Sequence, residues 1–200
     1  MKTLNPYAVL WFCLFVVGLS LTTAGESIAD NDLQKYENHG LSFHYPSNLK
    51  PMGPASTKKI QGMLNQQLHG IGNTQVSVIA LDVLLDLPAF RVMIAKERFV
   101  TEPTPRFLIE ERQHFLAEAQ KRGMVTSYGE IKETTIAGHS AIKFLDLDKG
   151  TQGYGSRARI LCGKDTWNIT FTGQSRDAYQ QYQNHVTQML NSVAISETCS

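Results

Sequence analysis

Gly138-His139-Ser140-Ala141-Ile142 sets a serine beside a histidine, a nucleophile and a base of the kind used in acyl transfer. It follows the G-x-S-x-G elbow up to Ile142, where the last glycine belongs. The elbow also needs a strand-to-helix turn, whereas this stretch joins two strand-like runs, so a hairpin turn is expected. Glu111 and His114 have the i, i+3 spacing of carboxylate-bridged metal sites, but such sites need a second copy and further glutamates. The six histidines, at positions 39, 44, 69, 114, 139 and 185, form no H-x-H or H-E-x-x-H pair. No metal site and no cofactor are therefore expected. Asp82 with Asp86, and Asp146 with Asp148, could gather carboxylates around a hard cation, yet no loop has calcium-hand spacing, and surface charge is the cheaper account. Asn168-Ile169-Thr170 is a formal glycosylation sequon set inside a strand pattern, where simple alternation explains it.

Two stretches have the character of binding surface. In Lys149 to Arg157, three glycines free the backbone of a long hairpin tip, and Lys149, Tyr154 and Arg157 offer cationic and aromatic anchors for a partner. In Thr101 to Arg106, Pro103 and Pro105 stiffen an exposed connection.

These residues belong to a chain of 200 residues, 42% hydrophobic and 18% charged, which suits about one globular domain. Its 19 basic and 18 acidic residues generate no bulk field, so nucleic acid is not an expected partner. Lys2, the apolar run from Ala8 to Leu21 and the small residues Thr22 and Ala24 read as a signal peptide over residues 1–24, cleaved after Ala24. The run is too short to span a bilayer, so no stable membrane span is expected after cleavage. Lys2 leaves with the signal, which brings the basic count down from 19 to match the 18 acidic residues. Export implies a periplasmic or secreted protein. Cys13 departs as well, and Cys162 and Cys199 remain as an even pair in an oxidising compartment, where a disulfide would staple the C-terminal tail to a strand.

Residues 25–35 read as a polar leader, and residues 36–200 as one domain. Leu41, Phe43 and Tyr45 alternate with polar residues up to Pro46, which gives a strand. Ser56 or Thr57 can cap a helix carrying Ile60, Met63, Leu64 and Leu68, stopped at Gly70. Val76 to Leu85 and Phe90 to Phe99 are apolar enough for central strands. Thr104-Pro105 opens a second helix with Phe107, Leu108, Phe115, Leu116 and Ala119 on one face. Glu130–Ile136, Ser140–Asp148, Ser156–Cys162 and Thr166–Thr172 make four further strands, with a bulge or two-sided burial expected where apolar parity shifts after Phe144. Ser175 caps a closing helix carrying Tyr179, Tyr182, Val186, Met189, Leu190 and Val193. The class is α+β: an antiparallel sheet of six to eight strands with helices packed on both faces.

Tyr36 followed by Gly40-Leu41-Ser42-Phe43-His44-Tyr45-Pro46, the hairpin Ile136-Ala137-Gly138-His139-Ser140-Ala141, and Trp167-Asn168-Ile169-Thr170-Phe171 with Tyr179 to Tyr182 and Leu190-Asn191-Ser192-Val193 together resemble the PsbP-like superfamily, which includes DcrB-like bacterial envelope proteins. The likeness runs from residue 36 to 193. It departs from the pattern at Leu49, where an aromatic commonly follows the Tyr-Pro segment. The resemblance implies an α/β/α sandwich and a non-enzymatic role in binding or in assembling a larger complex. Photosynthetic members are extrinsic subunits of photosystem II, but no residue pattern here matches their ion or subunit contacts. The expectation is therefore an exported, non-enzymatic binding or assembly-accessory protein of the cell envelope, with an envelope complex or a small ligand as partner. The alternatives are a small envelope hydrolase using Ser140 and His139, or a carrier of a small apolar ligand.

Overall fold

A computed structural model describes residues 32–70, 75–123, 127–148 and 153–199. The strands are β1 (Leu33–Asn38), β2 (Leu41–Pro46), β3 (Lys50–Pro51), β4 (Val76–Asp86), β5 (Phe90–Phe99), β6 (Ser127–Tyr128), β7 (Ile131–Ile136), β8 (His139–Asp148), β9 (Tyr154–Cys162), β10 (Asp165–Gly173) and β11 (Ala194–Ile195). The helices are α1 (Pro54–Gly70), α2 (Pro105–Lys121) and α3 (Arg176–Asn191). Eight strands form an antiparallel sheet in the order β3-β4-β5-β10-β9-β8-β6, with β7 also on β8, and β1-β2-β11 form a small second sheet. The α+β class with helices on both faces is as expected. Among the described residues, no helix is long and apolar enough to cross a membrane.

The strands form where side chains alternate between two buried faces. On β10, Trp167, Ile169 and Phe171 join α3 and the small sheet in one apolar layer with Phe43, Phe90, Val92, Ile160, Tyr179, Tyr182 and Met189. The opposite face carries two separate apolar patches. Leu64 and Leu68 of α1 cover Leu81, Val83, Met93 and Ala95, while Leu108, Phe115 and Leu116 of α2 cover Ile131, Ile142 and Phe144. The parity shift on β8 is real, for the register with β9 slips between Phe144 and Leu147. At the β7–β8 turn both Ala137 and Gly138 have positive φ, as a tight two-residue hairpin requires.

Several boundaries differ from expectation for local reasons. The first strand begins at Leu33, inside the stretch read as leader, because pairing with β2 extends to Pro46. Helix α1 starts at Pro54, so Ser56 and Thr57 lie within it, and the Thr57 hydroxyl donates back to the Gly53 carbonyl at 3.2 Å. Met63 and Phe107, expected in the core, are exposed. The caps of α2 and α3 are as expected: Thr104 Oγ1 accepts from the Phe107 amide at 3.2 Å and Ser175 Oγ from the Ala178 amide at 3.1 Å.

Candidate functional site

Tyr154 and Arg157 do not form the surface anchor expected of them. Both belong to β9 and are buried, and their odd spacing sends them to opposite faces of the sheet. Tyr154 packs edge-on against Tyr179 at 5.1 Å, under the guanidinium of Arg176. Lys149 lies outside the described residues.

Arg157 instead enters a polar network between the α1 and α2 patches. Strand pairing builds its frame: Thr166 stands opposite Glu97, Asn168 opposite Arg159, and Thr170 opposite Arg157. Glu97 is the hub. Its Oε2 accepts from Arg159 Nε at 3.0 Å and from the Arg159 Nη2 group, while its Oε1 accepts from Asn168 Nδ2 at 3.1 Å. Arg159 Nη1 reaches Glu111 on α2 at 3.2 Å. Arg157 Nε donates to Thr170 Oγ1 at 3.0 Å. Arg112, next to Glu111 on α2, lies over the rings of Phe115 and Phe144, about one ring-stacking distance away at 5.0 and 5.3 Å.

The electrostatics follow from crowding these charges out of water. Burial works to raise the Glu97 carboxyl, but the charge and hydrogen bonds of Arg159, with Asn168, outweigh it and hold it below the usual range. Burial works to lower Arg159, and Glu97 with Glu111 more than restores it. Arg112 is pushed down to about 10 by burial and by the Arg159 charge. Arg157 is driven well below its ordinary value by burial and by Arg112 and Arg159. Such a network can lock two helices over a sheet, and the Thr166 hydroxyl adds a donor to Glu97 at 3.3 Å.

The residues that sequence motifs singled out are mostly tied to other tasks. Glu111 serves Arg159, and His114 is exposed on α2. Asp82 accepts from Tyr36 Oη at 2.8 Å and Asn38 Nδ2 at 2.9 Å, and Asp86 accepts from Asn48 Nδ2 at 2.8 Å and from Tyr182, so both carboxylates anchor neighbouring segments. The side chains of Asp146 and Asp148 lie outside the described part. Asn168, the sequon residue, is buried against Glu97.

Cys162 and Cys199 are bonded, with their Cα atoms 4.7 Å apart. His139 Nδ1 stands 3.4 Å from Cys199 Sγ. Three ligand-type side chains thus come within 4.8 Å of one another, a grouping that spacing within the sequence could not announce. In the disulfide state neither sulfur is a thiolate, the form that binds metal. His139 therefore turns toward the tail, and strand alternation points Ser140 to the other face. The tail is held further by Glu197 on Lys96 and by β11 on β2.

The second stretch read as binding surface is exposed. Val100 and Phe107, which bracket Thr101 to Arg106, are 65% and 44% exposed, although Pro103 is buried. Pro105 occupies the first turn of α2 and Thr104 caps it, so the connection enters the helix rigidly.

No protein-family model matches this chain, and no curated protein matches it in sequence. Among solved structures it is similar to cyanobacterial PsbP (CyanoP) from Synechocystis sp. PCC 6803, with a TM-score of 0.51 and 11% identity over 86% of this chain and 98% of that one. It is also similar to the Pseudomonas aeruginosa protein PA94, with a TM-score of 0.38 and 10% identity over 80% of this chain and 95% of that one. The fold is PsbP-like, as the opening strand, central hairpin and closing helix suggested.

Proposed function

We propose that this is an exported, non-enzymatic binding or assembly-accessory protein of the cell envelope, working in the periplasm or outside the cell. The observation that carries the reading is the rigid Val100–Phe107 connection, where two large apolar side chains stay exposed on a proline-stiffened and capped segment. Exposed apolar side chains on a rigid element suit partner contact. The Cys162–Cys199 disulfide fits an oxidising compartment. The PsbP-like fold supports the same class of role by analogy only, since one fold hosts many functions.

The test is chemical cross-linking of the tagged protein in its native envelope fraction, then non-reducing purification and mass spectrometry. One stoichiometric protein partner is expected, with cross-links near residues 100–107, and its recovery should fall at least about tenfold in a Val100→Glu/Phe107→Glu variant, as expected when apolar contacts are replaced by buried charge. A chain that emerges alone would overturn the reading.

A further inference from the structure

His139, Cys162 and Cys199 are brought together by two independent parts of the fold. Continuing the β8–β9 register, in which Ala141 faces Ile160, sets His139 opposite Cys162, and directly opposed strand residues have Cβ atoms about 4.5–5.5 Å apart. Cys199 arrives from the tail. Its approach does not rest on the disulfide alone: β11 pairs with β2, the Ser196 amide donates to the Gly40 carbonyl at 3.0 Å, and Glu197 is bound to Lys96. The ligand atoms of all three side chains lie within 4.8 Å of one another.

That spacing suits a metal ion. Tetrahedral zinc, with thiolate at about 2.3 Å and imidazole at about 2.0–2.1 Å, sets a sulfur and a nitrogen about 3.5 Å apart and two sulfurs about 3.8 Å apart. His139 Nδ1 already stands 3.4 Å from Cys199 Sγ. Only the two sulfurs must part, and Cys199, exposed on the tail while Cys162 is buried in the sheet, is the one with room to turn. Two thiolates and one divalent cation sum to zero charge, which suits a place beside the apolar layer that holds Cys162. The nearby carboxylates of Asp165, opposite Cys162, and Glu197 are both engaged by Lys96, so sulfur and imidazole define the donor set. Such donors select zinc-type ions over hard cations.

We propose that in the thiol state His139, Cys162 and Cys199 form a three-ligand site for a thiophilic divalent cation of the zinc type, its fourth position open to solvent, and that metal and disulfide are alternatives at one place. A dithiol reductant opens the site: its two thiols become a disulfide, the Cys162–Cys199 bond breaks, and each cysteine sulfur takes one hydrogen. Metal binding then forms two sulfur–metal bonds and one nitrogen–metal bond and releases both thiol protons. The site shares no residue with the Val100–Phe107 surface, so it stands or falls separately from the partner reading.

The test uses the exported protein, purified without a histidine tag, reduced with a phosphine and desalted under nitrogen. Zinc is titrated in competition with a chromogenic chelator, with the disulfide-intact protein alongside. The reduced protein should bind a single zinc with a dissociation constant below about 1 µM. The disulfide form should bind at least about a hundredfold more weakly, since neither of its sulfurs is a thiolate. His139→Ala should weaken binding by the reduced protein by more than the roughly tenfold that an outer-shell change costs, and Cys162→Ser/Cys199→Ser should lose it. If the reduced chain loses its helical circular dichroism without metal, zinc should restore it in the unmodified protein and not in His139→Ala. Reduced protein that neither binds zinc nor refolds with it would overturn the proposal. So would equal zinc binding by the disulfide form, or a reduced His139→Ala variant that binds as tightly as the unmodified chain.

Discussion

The two faces of the large sheet are both closed by helices, yet they are filled by different physics. The α3 face is one continuous layer in which aromatic rings do most of the covering and the polar tips of two of them find partners: Tyr179 Oη donates to Ser156 Oγ at 2.5 Å, and Trp167 Nε1 to the His39 carbonyl at 3.1 Å. The α1/α2 face is apolar only beneath each helix, and its centre is Glu97, Arg157, Arg159, Thr166, Asn168 and Thr170, all buried. Hydrophobic burial is non-directional and specifies the first layer by volume alone. A buried polar layer is stable only if each member meets its partner, and here the Asn168 Oδ1 atom does not. Departures of that kind concentrate where a protein keeps a function rather than a core.

Truncating the centre of each face should cost a similar amount for different reasons. Trp167→Ala, at a side chain that is 0% exposed, should lower unfolding free energy by about 3–5 kcal/mol through lost contact and cavity. Glu97→Gln should cost about 3 kcal/mol because it leaves the buried Arg159 charge with the partly exposed Glu111 alone. The faces separate in the rescue: Glu97→Met/Arg159→Leu should recover most of the second loss, since apolar replacement of a whole buried pair is often neutral. Urea denaturation checks all three. A double variant no more stable than Glu97→Gln would show that the network is not held by pairing.

The faces should also answer to opposite ends of the pH scale. Glu97 has a folded pKa below its unfolded one, so its contribution is complete above the usual carboxylate value, about 4.3, and is lost as pH falls through the folded value. Tyr182, on the other face, is raised by burial and by its bond to Asp86. Its contribution is complete below about 10 and is lost as pH rises through the folded value. Thermal melts should therefore flatten on the acid side in Glu97→Gln and on the alkaline side in Tyr182→Phe, with neither variant changing the other limb.

Further effects come from the ends of elements. Cys199→Ser should cost about 3.8 kcal/mol on the α3 side, by the loop-closure entropy of a bridge spanning 37 residues, and reductant should then have no further effect on the urea midpoint. Ser175→Ala and Thr104→Ala should each cost about 1 kcal/mol. Their equality would show that helix caps are indifferent to the chemistry of the face beneath.

Much of the architecture was legible because it rests on local rules. The Thr104-Pro105 and Ser175 caps, the alternation of Trp167, Ile169 and Phe171, and the parity shift after Phe144 each describe one element by itself. Strand β11 and the two-residue strands β3 and β6 were not legible, since pairs that short exist only because a neighbour offers hydrogen bonds. The candidate site left faint traces. Arg157 and Arg159 alternate in a strand otherwise made of small and apolar residues, and Glu97 interrupts the apolar run from Phe90 to Phe99. Charges at those positions mark a shared face, but Arg112 had no such marker, because α2 alone does not say which strand lies under it.

By itself the sequence determined the three helices and most of the longer strands, and that two cysteines stood as an even pair, because period, caps and composition act within a few residues of chain. Only the tertiary structure decided that Tyr154 and Arg157 are both buried, that His139 stands against Cys199, and that Arg112 lies over Phe144. Those relations depend on strand order and register, which bring together residues far apart in the chain. The charge, desolvation and hydrogen bonding that give them chemical meaning act over a few ångströms of space.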